Sequence, residues 1–245
     1  MSDISAPTSV VPDKNLVARF IGVITSPRET FEVVAAHPSW LLMALVVVVL
    51  TGAPAMWFQS TAIGKQAALD ESVRYMQSFG MTVSDQAYEA IKKGVMEPSV
   101  VRQVGTVVAM TVMPLLVWAI IAGLAMGIVG VMMGGSGSFK QAFSAVVHSS
   151  VIGVIGVFVI TPLNYARESM TSATNLAVLL PFLPDGSFLA RFLGMMDIFR
   201  LWWMVVLAIG FGVVFKKKTG TMAALIFGIY VVIAIGFAAF MAARS

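Results

Sequence analysis

The chain is short of charge and has no cysteine at all. Without cysteine there is no disulfide framework, no thiolate-held zinc and no thiol nucleophile. Charged residues fill only 11% of 245 positions, where an ordinary soluble domain carries about 25%. Hydrophobic residues make up 58% and the mean hydropathy is +0.90, which leaves too little polar surface for a globule in water. Lipid is the expected solvent. The two histidines, His37 and His148, form no close-spaced ligand pair, and no metal is expected. Nor is there a carboxylate pair, a nucleophile with its base, or a phosphate-binding loop. The run "GGSGS" lacks the Lys-Ser/Thr that such a loop needs. These absences argue against an enzyme and against any cofactor. A net charge of +4 is too small to suggest a nucleic-acid surface.

What the chain does have is long apolar runs. About 20 apolar residues cross the roughly 30 Å of hydrocarbon as a helix, and five windows qualify: 40–59, 106–133, 142–163, 198–215 and 221–241. Backbone groups in hydrocarbon need internal partners, and these runs do not alternate as barrel strands do. The expected fold is therefore all-α, a polytopic membrane protein built as a five-transmembrane-helix bundle with amphipathic interfacial helices at its N-terminus. Residues 1–15 read as a disordered leader and 16–241 as one membrane domain, with interfacial helices at 16–37 and a helical extramembrane loop at 60–105. In that loop Gly80 and Gly94 read as helix stops and Ser84 as a start. Pro114 is the expected kink of the second span. Residues 175–197 are apolar but broken by Pro181, Pro184 and Gly186; an interfacial segment is expected, with a re-entrant hairpin as the alternative.

Basic residues near span ends set orientation. Lys216, Lys217 and Lys218 sit in one short turn and Lys140 beside another, both on the side of Lys14, Arg19 and Arg28. This predicts a cytoplasmic N-terminus and an outward C-terminus.

Ahead of the first span lies "ITSPRETFEVVAAHPSW". Ser26 as cap, Pro27 at the first helical position and Glu29 three residues after the cap form a helix-start signature. His37-Pro38 ends that helix. Phe31, Val34 and Ala35 share one side, with Arg28, Glu29 and Glu32 toward the other. Leu16, Phe20, Val23 and Ile24 form an apolar face in the helix before it, where Arg19 is expected to snorkel. Two readings fit: an anchor that fixes the tilt of the first span, or a surface for a cytoplasmic partner.

Within the spans, Ala119, Gly123 and Gly127 recur every four residues, as do Ala145, Ser149 and Gly153. Small residues in that register let helices approach closely, and a short turn makes these two spans antiparallel neighbours. His148 is the one ionisable residue well inside a span, beside Ser144, Ser149 and Ser150. It reads either as a neutral imidazole bonded to a serine or a backbone carbonyl, or as a proton-relay or headgroup-binding group. Asn164, Asp197 and Arg200 complete the candidate polar site. Asn164 reads as an ordinary helix terminus or as lining an opening on the far side. Asp197 and Arg200, three apart, are expected to pair, with a polar entrance to a groove as the alternative.

The segments "RFIGVITSPRETFEVVAAHPSWLL", "GGSGSFKQAF", "DIFRLWWMVVLAIGF" and "KKKTGTMAALIFGIY" resemble the prokaryotic branch of the Ypt-interacting-protein (Yip) domain family over residues 16–240. The resemblance implies five spans, a cytoplasmic N-terminus and the C-terminus on the far side. Eukaryotic relatives are linked to Rab-type GTPases and membrane traffic. This chain lacks their longer N-terminal region and its Asp-Leu-Tyr-Gly-Pro type motif, so Rab binding is not carried over. The expected role is non-catalytic: organising membrane lipids, or recruiting a cytoplasmic or membrane protein partner. The alternative is a lipid-moving protein, a scramblase-like element or a transport subunit, with a polar groove near His148. The sequence fixes no oligomeric state.

Overall fold

The structure is a computed structural model that describes residues 12–184 and 186–243. Its described residues form eleven α-helices and no strand. In chain order they are α1 (Leu16–Thr25), α2 (Pro27–Ala36), α3 (Leu41–Ser60), α4 (Ala62–Ser78), α5 (Asp85–Met96), α6 (Val100–Ala125), α7 (Phe139–Ser149), α8 (Val151–Ala166), α9 (Phe188–Met195), α10 (Ile198–Val214) and α11 (Thr219–Ala242). Four stretches are long and apolar enough to cross a membrane: Leu41–Ser60, Val100–Met132, Phe139–Ala166 and Thr219–Ala242. The helix at the fourth expected window, α10, is shorter at 17 residues but equally apolar.

Phe139–Ala166 is the central element, with 61% of its most apolar window buried against 22%, 22% and 17% for the other three. The outer helices therefore turn most of their surface away from protein, as helices do when lipid is as good a solvent as a neighbour. The core gathers Ala142, Val146, Ile152, Leu207 and Phe211 between α7, α8 and α10, with α3 and α6 against them.

The N-terminal helices pack against the bundle: of their apolar residues, Val23, Phe31 and Val34 are buried, while Val17 and Ile21 of α1 stay exposed. Phe31 is fully buried and lies against Gly210 of α10, where an added Cβ would stand 3.0 Å from its ring. Gly22 of α1 meets Thr30 of α2, closing the two into a tight hairpin. Pro27 does open α2, but Ser26 makes no side-chain cap, so the expected capping box is not formed. A true capping box lies elsewhere, at Ser138 and Gln141, where each side chain bonds the other's backbone. Of the expected leader 1–15, residues 1–11 lie outside the described residues. Asp13 and Asn15 are tied to α1, Asn15 by accepting from Ala18 N–H at 2.8 Å.

The third expected span is two helices, broken at Ser150. His148, Ser149 and Ser150 each return a side-chain bond to the carbonyl four residues back: Ser144, Ala145 and Val146. Such back-bonding bends helices. The second span starts earlier than expected, because Ser99 caps α6. The helix runs on through Pro114, which lacks the N–H for one rung of its ladder, and widens into a π-helical stretch at Met126–Met132. Gly80 follows α4 with φ +74° and Ser84 caps α5, both as expected. Gly94 is no stop: it lies inside α5, where its bare backbone admits the Arg102 guanidinium. The 175–197 segment forms a short 3-10 turn at Leu176–Leu179 followed by α9, which packs along α11; the Tyr230 hydroxyl donates to the Met195 carbonyl there.

The two short turns meet at one end, which we call the near end. Lys217 Nζ donates to the Met133 carbonyl at 2.6 Å. Gly137 lies so close to Val214 that a Cβ would come within 2.6 Å of it. Gly135 and Gly137 of "GGSGS" thus serve a close turn-to-turn contact, while Gly134 takes a positive φ of +65°. Gln141 Nε2 also donates to the Ala35 carbonyl at 2.7 Å, which brings α2 to the same end.

Candidate functional site

The proposed polar residues do not converge. His148, Ser144 and Ser149 sit together, all fully buried, in α7. Asn164 lies sixteen residues further along, about 24 Å at helical rise, at the far end with Asp197.

At the near end, α1 supplies a residue that the sequence reading misplaced. Arg19 does not snorkel; it is 3% exposed. Nε donates to the Lys14 carbonyl at 3.0 Å, Nη1 to the His37 carbonyl at 3.1 Å and the Ser39 hydroxyl at 2.9 Å, and Nη2 to Asp13 at 2.5 Å. The Arg19 hydrogen bond holds the Asp13 carboxyl below its ordinary value of 3.8. One guanidinium thus ties the segment ahead of α1 to the link between α2 and α3. A signal existed in the sequence: Arg19 falls only about 40° round the helix from Val23, on the edge of the apolar face.

Beside it is a pocket of about 550 Å³ where α1, α3 and α7 begin. Lys14, Arg19, Trp40, Lys140 and His148 help to line it. Trp40 stands edge-on to Phe143 with ring centroids 5.1 Å apart. His148 Nδ1 lies 2.7 Å from the Ser144 carbonyl. A carbonyl only accepts, so Nδ1 carries the proton and Nε2 is left as an acceptor. Nε2 is buried and has no hydrogen-bond partner in the protein among the described residues.

At the far end Asp197 is an organising residue. Its carboxylate accepts from the Ser172 and Thr174 hydroxyls, both at 2.6 Å, and from the Phe199 and Arg200 N–H groups at 2.9 and 3.3 Å. Burial pushes its pKa upward, but these four donors outweigh that and leave it below 3.8. The expected Asp197–Arg200 ion pair is absent among the described residues: the Arg200 backbone, not its guanidinium, meets the carboxylate, and its side chain is exposed. A cap satisfies the carboxylate more cheaply than ordering a long side chain would. Asn164 donates weakly to the Met170 carbonyl at 3.4 Å.

The packing stripes also need correction. Gly123 and Gly127 are exposed, with nothing within 4 Å of an added Cβ. The buried face of α6 and its continuation is Trp118, Ala122, Ala125 and Val129, with Ala119 at its edge. In the other stripe Ala145 and Ser149 are buried, but Gly153 has nothing within 4 Å; the close glycine of α8 is Gly156, against Phe199. Small side chains spaced by four give a stripe but not its direction.

Around the near end, Arg28, Glu32 and Lys216–Lys218 line a second pocket of about 720 Å³. Arg28 and Glu32 form an exposed ion pair at 3.5 Å; Glu29 is exposed beside them. Lys216 has φ +54°, and the Lys217 N–H returns to the Gly212 carbonyl at 2.9 Å, so the lysine turn ends α10 as a left-handed helix stop.

Taken together, the apolar helices, the lipid-turned outer faces and the polar ends define an integral membrane protein. The Yip1 domain family model matches residues 21–241, and the chain belongs to that family. It is similar to "Membrane protein YknW" of Bacillus subtilis (strain 168), at 28% identity over 220 residues and 86% of each chain. No solved structure matches.

Proposed function

We propose that this chain is a non-catalytic membrane protein whose near end faces the cytoplasm and presents α2 and the lysine turn to a protein partner. In this reading α10 is a fifth crossing. At 17 residues it sits at the lower limit for a span, about 25 Å long, and it joins Asp197 at the far end to Lys216 at the near end. An odd number of crossings puts the two termini on opposite sides. The orientation follows from the lysines and arginines gathered at the near end.

The observation that carries the reading is how α2 is held. Phe31, Val33 and Val34 are buried in the bundle, while Arg28, Glu29 and Glu32 stay exposed. A helix needed only to anchor the first span has no use for a rigid charged edge opposite Lys216–Lys218. The mixed signs favour a protein surface over a purely anionic one.

A photocrosslinking amino acid at position 28 or 32, in cells, tests this. A discrete protein adduct from both positions, absent from a lipid-facing control at Ile120, is the expected result. Adducts equal to the control at both positions would remove the reading.

A further inference from the structure

We infer that the pocket at the start of α1, α3 and α7 binds the headgroup of an anionic phospholipid, holding its phosphate by Lys14, Lys140 and the amino end of α3 and a headgroup hydroxyl by His148 Nε2. This rests on the membrane reading above but not on the partner face of α2.

Four features converge on that chemistry. First, charge: Lys14, Arg19 and Lys140 line the pocket against the single carboxylate of Asp13, which Arg19 already binds. Second, donors: Trp40 supplies no side-chain cap to α3, so the first N–H groups of that 20-residue helix point outward without intrahelical acceptors. Third, the back wall: His148 Nε2 is a buried acceptor with no partner in the protein among the described residues. A bare phosphate diester cannot satisfy it, because it offers no proton; a hydroxyl on the alcohol esterified to that phosphate can. Fourth, the mouth: Leu41 and Leu42 line the same pocket and are 65% and 63% exposed. In a membrane those two leucines face acyl chains, and Trp40 beside them belongs at headgroup depth. A soluble phosphate compound would gain nothing from them. At about 550 Å³ the pocket is within the range of small-ligand sites.

Native mass spectrometry of the full-length protein, released from detergent after adding defined lipids, reads this directly. The probes are phosphatidylglycerol, which has headgroup hydroxyls; phosphatidylmethanol, which has the same charge and none; phosphatidylcholine; and soluble glycerol phosphate. Phosphatidylglycerol is expected to be retained over phosphatidylmethanol by roughly threefold to tenfold, the worth of one hydrogen bond. Lys14→Ala and Lys140→Ala are each expected to lower its retention about fivefold, while Lys92→Ala on α5 leaves it unchanged. His148→Leu is expected to erase the preference for phosphatidylglycerol over phosphatidylmethanol but keep the preference over phosphatidylcholine. Equal retention of phosphatidylglycerol and phosphatidylcholine would overturn the proposal, as would lysine variants that bind like the parent. Full competition by glycerol phosphate would overturn the lipid assignment. Should His148→Leu fail to fold, the lysine variants and the phosphatidylmethanol comparison on the parent protein still decide. The crosslinks from positions 28 and 32 report on another face, so either reading can fail alone.

Discussion

Asp197 and His148 are both polar side chains placed among apolar helices, one at each end of the bundle, and they are treated oppositely. Asp197 receives four hydrogen bonds that use both its oxygens. His148 spends one ring nitrogen on a carbonyl of its own helix and, among the described residues, has no protein partner for the other. A fully satisfied buried group holds parts of the chain together. A half-satisfied one costs stability, about 1–3 kcal/mol for an unmade bond, unless something outside the protein completes it. The contrast separates an architectural polar residue from an available one, which their chemical types alone do not.

The largest effect that would break this comparison is at the far end. Asp197→Ala removes the cap of α10 and takes the acceptor from the Ser172 and Thr174 hydroxyls, which are left with each other at 3.1 Å. Reversible unfolding in mixed micelles should therefore show a loss of about 3 kcal/mol. A loss below about 1 kcal/mol would demote Asp197 to an ordinary helix start.

At the near end Arg19→Met keeps the apolar stem but releases two carbonyls, a hydroxyl and Asp13. A destabilisation of about 2–3 kcal/mol is expected by the same measurement, with proteolysis between α2 and α3 becoming faster. Unchanged proteolysis would mean that the hairpin holds without the guanidinium.

Acid titration sharpens the comparison next. The folded pKa of Asp197 lies below its ordinary 3.8, so its stabilisation is complete above about pH 4 and is lost as pH falls through the lower folded value. The parent should lose stability over that acid range relative to Asp197→Asn. Parallel curves for the two proteins would show that the carboxylate charge contributes nothing.

His148→Leu should have the smallest effect. The volumes are similar and the Ser144 carbonyl keeps its place in the helix, so a change within about 1.5 kcal/mol is expected in lipid-free detergent. A loss as large as that for Asp197→Ala would make the two ends alike and His148 a structural residue.

Much of the fold is legible from local pattern. The first, fourth and fifth windows fall within a residue or two of α3, α10 and α11, because apolar runs and the hydrogen-bond demand of hydrocarbon act on each segment separately. Ser84 and Gly80 were readable for the same reason, as a cap and a left-handed stop. Val23, Phe31 and Val34, on the apolar faces read for α1 and α2, are buried. What covers those faces was not readable, since an apolar stripe suits lipid and protein equally. Arg19 shows the same limit. Its snorkelling or burial depends on whether carbonyls from residues 14 and 37 arrive beside it, and those lie outside its own helix. The candidate polar site split because sequence neighbours of similar chemistry need not share an end of the bundle.

The sequence by itself determined that this chain lives in lipid, that it is helical, and roughly where each long helix runs, since each follows from the solvent each segment requires. The tertiary structure alone decided which glycines touch anything, which polar atoms are satisfied, and that α1 and α2 close the bundle. Those outcomes depend on which surfaces meet across the fold, and packing in a medium as apolar as the helices themselves is set by shape and hydrogen bonds that no single segment contains.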